Sequence, residues 1–277
     1  NATIEMQGKE AVGMFGKNIS VFENSGTIMT KLEKSAGMFG EIDGTNNLKI
    51  ENKNKIIVEE KSSVGIFAKN GTSAVSDLKV ENTGTIKMKK DESIGIFAPK
   101  STIEKVGTVS IDDSAKKSVG IYISEGGKVS DTSTGTVNLG TSGANIAYYV
   151  KNKDTSLEGS SIGTVSGYGV GVYLEGDTTI SGDTAKLSAS SPKLDFTTGT
   201  TGGNGIVGLY LKGTTDISAY NKEIKVGDTV GGTSPKYAIG IYADAQGTTD
   251  SPATVYDIAA DITAGKNGVG IFSDNKS

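Results

Sequence analysis

The 277-residue chain has no cysteine, no histidine, no tryptophan and no arginine, because all 28 of its basic residues are lysine. Without His or Cys it can assemble neither a Ser-His-Asp nor a Cys-His nucleophile pair, nor a zinc or copper site of the usual nitrogen or sulfur kind. It also lacks an imidazole to act as a pH switch. Without Arg there is no planar guanidinium fork for phosphates or base edges, and a net charge of -4 gives nucleic acid no reason to approach. No apolar run approaches the roughly 20 residues of a membrane-spanning helix, and Asn1 to Gln7 carry no basic-then-apolar leader. The lack of Cys fits a reducing cytoplasm and equally a secreted chain that crosses a membrane unfolded. Proline is scarce, with 4 residues, whereas glycine is abundant, with 39. That balance implies a turn-dense β protein.

The positive signal is a repeat. Aliphatic-Gly-aliphatic-aromatic recurs from Val12-Gly13-Met14-Phe15 through Val64-Gly65-Ile66-Phe67 and Ile94-Gly95-Ile96-Phe97 to Val269-Gly270-Ile271-Phe272, with one weaker copy at Ile146-Ala147-Tyr148-Tyr149. Successive copies lie 24 to 37 residues apart. A second element, Gly-Thr-aliphatic-x-aliphatic, precedes it, as in Gly84-Thr85-Ile86-Lys87-Met88. The first aliphatic of that element stands nine residues before the repeat glycine in Ile4 to Gly13, Ile28 to Gly37, Ile56 to Gly65 and Ile86 to Gly95. A third short alternating run pairs Ile19 with Val21, Leu48 with Ile50 and Leu78 with Val80. Three strands per unit, each rich in β-branched residues and bounded by Gly, Asn, Asp and Ser, exclude a helical repeat and predict an all-β parallel β-helix. Stacking at about 4.8 Å per coil makes ten coils a rod on the order of 50 Å long. Asn24, Asn52 and Asn82 recur at one turn and are expected to form an amide ladder of architectural purpose.

The Gly-[Ile/Met]-[Phe/Tyr] coils, the Asn-x-Gly-Thr-Ile turns and the Lys-only, Cys-free composition resemble, over the full length, passenger domains of type V autotransporter adhesins, especially the very large ones of oral Gram-negative anaerobes. The resemblance implies a right-handed parallel β-helix of about ten coils of three short strands, displayed outside the bacterial cell and anchored through a C-terminal outer-membrane translocator barrel of the same parent chain. It implies attachment, as a virulence function, to host-cell glycans or protein receptors or to surface molecules of other bacteria. The chain lacks Met at its start, and its repeat phase runs out at both ends, so it is expected to be one continuous segment, 1–277, of a longer passenger.

Period-two alternation places Val64, Ile66 and Ala68, or Ile94, Ile96 and Ala98, on one face of the repeated strand. Val119 and Ile121 continue that aliphatic face, which is expected to fill the lumen. Ser63, Gly65 and Phe67 are then expected outside, although rings stacked inside with glycine making room is the alternative. Ladder residues are needed for stacking in every coil, so recognition is assigned instead to insertions at 188–205, 227–237 and 244–253. The candidate binding residues there are Phe196, Asn204, Asp228 and Tyr237. No cofactor or metal is expected: Gly202-Gly203-Asn204-Gly205-Ile206-Val207 has Val207 where a calcium nonapeptide needs a carboxylate. The paired acids Glu59-Glu60, Asp91-Glu92 and Asp112-Asp113 fit solvated turns better than a glycosidase pair. The expected function is non-catalytic surface attachment, with a structural stalk and, behind it, a polysaccharide-active enzyme as alternatives.

Overall fold

The computed structural model of the protein describes residues 2–44, 47–72, 74, 77–152, 154–176, 184–245 and 257–275. Among them there is no α-helix, and every paired strand runs parallel to its neighbours in a solenoid of about nine turns, close to the ten coils expected. One wall is a continuous sheet of ten strands from Val12–Lys17 to Val269–Asn275. A second wall of seven strands runs from Thr3–Met6 to Thr164–Ser166, and a third of six from Val21–Asn24 to Ser156–Leu157. Beyond these, two smaller sheets take over the second and third walls while the ten-stranded wall continues. The repeat therefore sets the register coil by coil: Ile94 pairs with Val64 and Val119, and Phe97 with Phe67 and Tyr122.

The lumen is apolar and closed. Ile66, Ile96 and Ile121 from the ten-stranded wall, Ile56, Ile86 and Val109 from the second and Leu48, Leu78 and Ile103 from the third are all essentially inaccessible to solvent. Three corrections to the sequence reading follow from how the repeated strand is built. Val64, Ile94 and Val119 are only half-buried and share the outer face with the aromatics, whereas Gly65, Gly95 and Gly120 are buried. The alternation breaks at the glycine, and the paired register skips it. A Cβ on Gly95 would lie 2.5 Å from the carbonyl oxygen of Gly120 and 2.6 Å from Val109 Cγ1 in the lumen, so the inward kink admits only a bare α-carbon.

Ser63, expected outside, and Ser93, its counterpart one coil on, are also buried. They belong to a ladder in which a side-chain oxygen accepts a main-chain N–H from the preceding coil: Ser35 N donates to Ser63 Oγ at 3.1 Å, Ser93 N to Ser118 Oγ at 3.2 Å, and Ser118 N to Asn145 Oδ1 at 3.0 Å. In the first coil the third strand is slipped by one residue from the expected pairing. Phe22, not Val21, aligns with Ile50, and Ile19 and Val21 are exposed. The ring of Phe22 lies against the space left by the absent side chain of Gly16, with its Cδ1 2.7 Å from where a Cβ would stand. The asparagine ladder forms as expected: Asn24 Nδ2 donates to Asn52 Oδ1 at 2.8 Å, Asn52 Nδ2 to Asn82 Oδ1 at 2.7 Å, and Asn82 Nδ2 to the Val106 carbonyl at 2.6 Å, all buried.

Tyr148 occupies the lumen position held by Ile121 one coil earlier and Val172 one coil later. Its ring is fully buried and its hydroxyl finds no hydrogen-bond partner. A buried unsatisfied hydroxyl costs about 1–3 kcal/mol. Tyr148→Phe is therefore expected to raise the urea midpoint of unfolding, by about 1 kcal/mol or more in stability. A lower midpoint would show that the hydroxyl is satisfied.

Outside the third wall, charges of opposite sign alternate along the rod. Lys53 bridges Glu23 at 2.7 Å and Glu51 at 3.2 Å, Lys49 bridges Glu51 at 2.9 Å and also contacts Glu81, and Lys105 meets Glu81 at 2.5 Å. On the second wall Glu59 lies between Lys31 at 2.8 Å and Lys89 at 2.7 Å. These lysine hydrogen bonds hold Glu23, Glu51, Glu59 and Glu81 below the ordinary carboxylate value of 4.5. A depressed folded-state pKa contributes stability that is present above the unfolded value and lost as pH falls through the folded one. Thermal melting is expected to be flat from pH 7 to about 5 and to fall below about 4.5, less steeply in high salt, which screens exposed pairs. A melting temperature that already falls between pH 7 and 6 would contradict this.

Candidate binding surface

The outer face of the ten-stranded wall carries two parallel stripes, one of half-buried aliphatics and one of aromatics. The aromatic stripe contains ten rings, Phe15, Phe39, Phe67, Phe97, Tyr122, Tyr149, Tyr173, Tyr210, Tyr242 and Phe272, each 4.7 to 5.3 Å from the next. From Tyr149 to Tyr242 successive planes lie within 25° of parallel. The rings thus stack along the rod and cover one another's faces. What they present outward is edges and hydroxyls, so an interior ring of this run offers no free face to a ligand.

In the tyrosine part of the ladder, three hydroxyls find acids one coil further on. Tyr149 donates to Glu175, Tyr210 to Asp244 at 2.8 Å and Tyr242 to Asp274 at 3.1 Å. Burial first, and then these carboxylates, push the Tyr149 and Tyr210 phenols well above the usual tyrosine range, so they remain protonated donors. Burial with the nearby Glu175 and Asp244 does the same to Tyr173.

The structure does not bring the four expected site residues together: one fills the lumen, two form a ladder between turns and one is exposed. Phe196 is a correction: its ring is wholly buried, with Cε1 and Cζ 2.3 Å from where a Cβ on Gly171 would stand. It fills the lumen, and so cannot meet a ligand. Nor is 188–205 a loop throughout, since Leu194–Asp195 is a strand of the second wall, paired with Ile224–Val226. Asn204 and Asp228 occupy successive turns and ladder between coils: Asp228 N donates to Asn204 Oδ1 at 2.7 Å, and Lys266 N to Asp228 Oδ1 at 2.6 Å. The expected loop at 244–253 lies, from residue 246 on, outside the described residues.

Tyr237 is the one that stands free. Among the described residues it has the largest exposure of the large apolar side chains, 57%, and its ring joins neither the stack nor any hydrogen bond. The segment that carries it is fixed. Val230 and Lys236 close a small antiparallel hairpin with two main-chain bonds of 2.9 Å, and Thr229 Oγ1 donates to the Asn267 carbonyl at 2.7 Å. Lys236 then reaches back over earlier coils, its stem lying on the bare α-carbons of Gly143 and Gly205 and its Nζ donating to the Ser142 carbonyl at 3.0 Å. Tyr237 divides two open hollows. One, of about 370 Å³, is bounded by Gly169, Val207, Tyr210, Lys236, Tyr237 and Tyr242; the other, of about 510 Å³, by Tyr237, Ile239, Tyr242, Val269, Phe272 and Asp274.

Residues 1–99 match a family model described as the BigA third pectate lyase-like domain. BigA is an autotransporter-like surface protein. The matched part holds Phe15, Phe39, Phe67 and Phe97 of the stripe and most of the ionic contacts described above, and does not reach Tyr237. No curated protein and no solved structure matches the chain. Among the described residues no three acidic side chains come together as a metal site. Of the paired acids of the sequence, Glu59 is occupied by two lysines and Asp91 by the Lys116 main-chain N–H at 2.9 Å.

Sequence reasoning singled out Tyr237 by its place in an insertion, and the structure adds its exposure, its neighbour Lys236 and the acids below the tyrosines. Tyr173-Leu174-Glu175 and Tyr242-Ala243-Asp244 were the available signal. It points the wrong way within a strand, because Glu175 serves Tyr149 and Asp244 serves Tyr210, each one coil back.

Proposed function

We propose that the chain is a solenoid segment of a bacterial cell-surface adhesin, exported and anchored by a translocator barrel elsewhere in its parent, and that it attaches without catalysis to host glycans or receptors or to neighbouring bacteria. The observation that carries this is Tyr237, an unpaired aromatic held rigidly on a rod whose other recurrent side chains already satisfy one another. Exposed aromatics on fixed supports are the usual anchors of recognition surfaces. The match of residues 1–99 to a domain of an autotransporter-like surface protein supports the location. The non-catalytic reading is supported by a sequence without His, Cys or Arg and by acids engaged with lysines and main chain.

The test is excision of the 230–236 hairpin from the parent protein displayed on cells. The rod is expected to stay folded, since coil-to-coil contacts supply a solenoid's stability, while attachment falls. Undiminished attachment by the folded variant would favour the second reading, a stalk that carries a distal adhesive region. The self-covered ring faces of the ladder are the observation on that side.

A further inference from the structure

We propose that Tyr237 and the two hollows it divides form a binding site for an uncharged oligosaccharide, with one sugar ring stacked on Tyr237 and its neighbours seated on either side. This rests on the attachment reading and assigns its ligand. Charge narrows the ligand. Among the described residues, the hollow toward Tyr210 has Lys236 as its one formally charged lining residue, and the hollow toward Phe272 has Asp274. A polyanion spanning the ridge meets the carboxylate and a polycation meets the ammonium, so only a neutral chain crosses without a like-charge contact. Uronate polymers are disfavoured here even though residues 1–99 match a pectate lyase-like domain.

The lining points the same way. Val207, Ile239, Val269 and the Tyr237 ring are apolar, while the Tyr210 and Tyr242 hydroxyls and the Asp274 carboxylate supply polar groups at the edge. A pyranose has this same division, an apolar C–H face inside a rim of hydroxyls. The two phenols donate to Asp244 and Asp274, which leaves phenolic lone pairs to accept from sugar hydroxyls. Volumes of about 370 and 510 Å³ fall in the range of small-ligand clefts.

Strand addition needs an unpaired sheet edge, and Ile206–Lys212 and Ile239–Ala245, the strands beneath Tyr237, are paired on both sides, which removes a peptide strand as occupant of the hollow toward Tyr210.

Titration of the purified chain with cello-oligosaccharides and N-acetylchito-oligosaccharides, read by NMR shifts and calorimetry, tests the site. Saturable binding by at least one neutral series is expected, with oligogalacturonate and deacetylated chito-oligosaccharide binding more weakly. Tyr237→Ala should weaken it about tenfold, Tyr237→Phe should retain it, and Phe15→Ala at the far end of the stripe should leave it unchanged. Circular dichroism confirms that each variant is folded. Equal binding of oligogalacturonate, or no loss in Tyr237→Ala, would overturn the proposal. So would failure of every neutral series to bind. If that failure accompanies lost attachment on hairpin excision, the attachment reading stands and its ligand is a protein.

Discussion

Ile96→Asp is expected to cost roughly 4 kcal/mol or more of stability, because it places a carboxylate in a lumen with nothing to pair it. Ile96 is inaccessible to solvent, and its neighbours along the rod are Ile66 and Ile121, equally buried. The carboxylate can neither reach water nor find a lysine, since the lysines of these coils pair on the outside of the walls. A solenoid's stability is a sum over nearest-neighbour interfaces, so the loss falls on the two interfaces that Ile96 forms. Urea unfolding should then lose its single transition, with coils on either side of the substitution melting separately. A midpoint within experimental scatter of the parent would refute a dry lumen at this position.

Gly95→Val should come second, at about 3 kcal/mol or more. The obstruction is main chain, the Gly120 carbonyl oxygen at 2.5 Å from the new Cβ, and not the end of a flexible side chain that can swing away. The same carbonyl contact recurs at Gly37 with Gly65 and at Gly65 with Gly95, which is why the repeat keeps glycine there. Gly231 is the matched control, because nothing lies within 4 Å of a Cβ built on it. Gly231→Ala should change stability by no more than about 0.5 kcal/mol. Equal melting of the two variants would show that glycine in the repeat answers to something other than space.

The architecture was legible because a solenoid repeats its solution. Once Ile86, Gly95 and Phe97 had counterparts in neighbouring units, the parallel stacking of the walls followed from alignment, the register failing in the first coil of the third wall, where Phe22 and not Val21 meets Ile50. Faces were less legible, since period two was carried through Gly95 when the chain kinks there and turns two successive residues inward. That moved Val64 and Ile94 outside and Ser63 and Ser93 inside. Phe196 was misread because its unit is the longest and its core strand, although paired with Ile224–Val226 of the next unit, sits in a Ser- and Thr-rich stretch that reads as a loop. Tyr237 stood out in the sequence because it lies outside the repeat, and the structure shows it exposed. The hollows around it did not stand out, because they are made by a hairpin folding back across coils, with Lys236 bonded to a residue far earlier in the chain.

The direction of the sheet hydrogen bonds gives the rod a mechanical character. They run between coils, and so along the axis, so tension between the ends loads the coils in series and peels them from one end. Each released unit of 24 to 37 residues pays out roughly 80–130 Å of chain at about 3.4 Å per residue, in place of a single coil spacing of about 4.8 Å. A segment built this way yields to a sudden pull by lengthening stepwise, and the intact coils that remain are templates on which the slack chain can rewind.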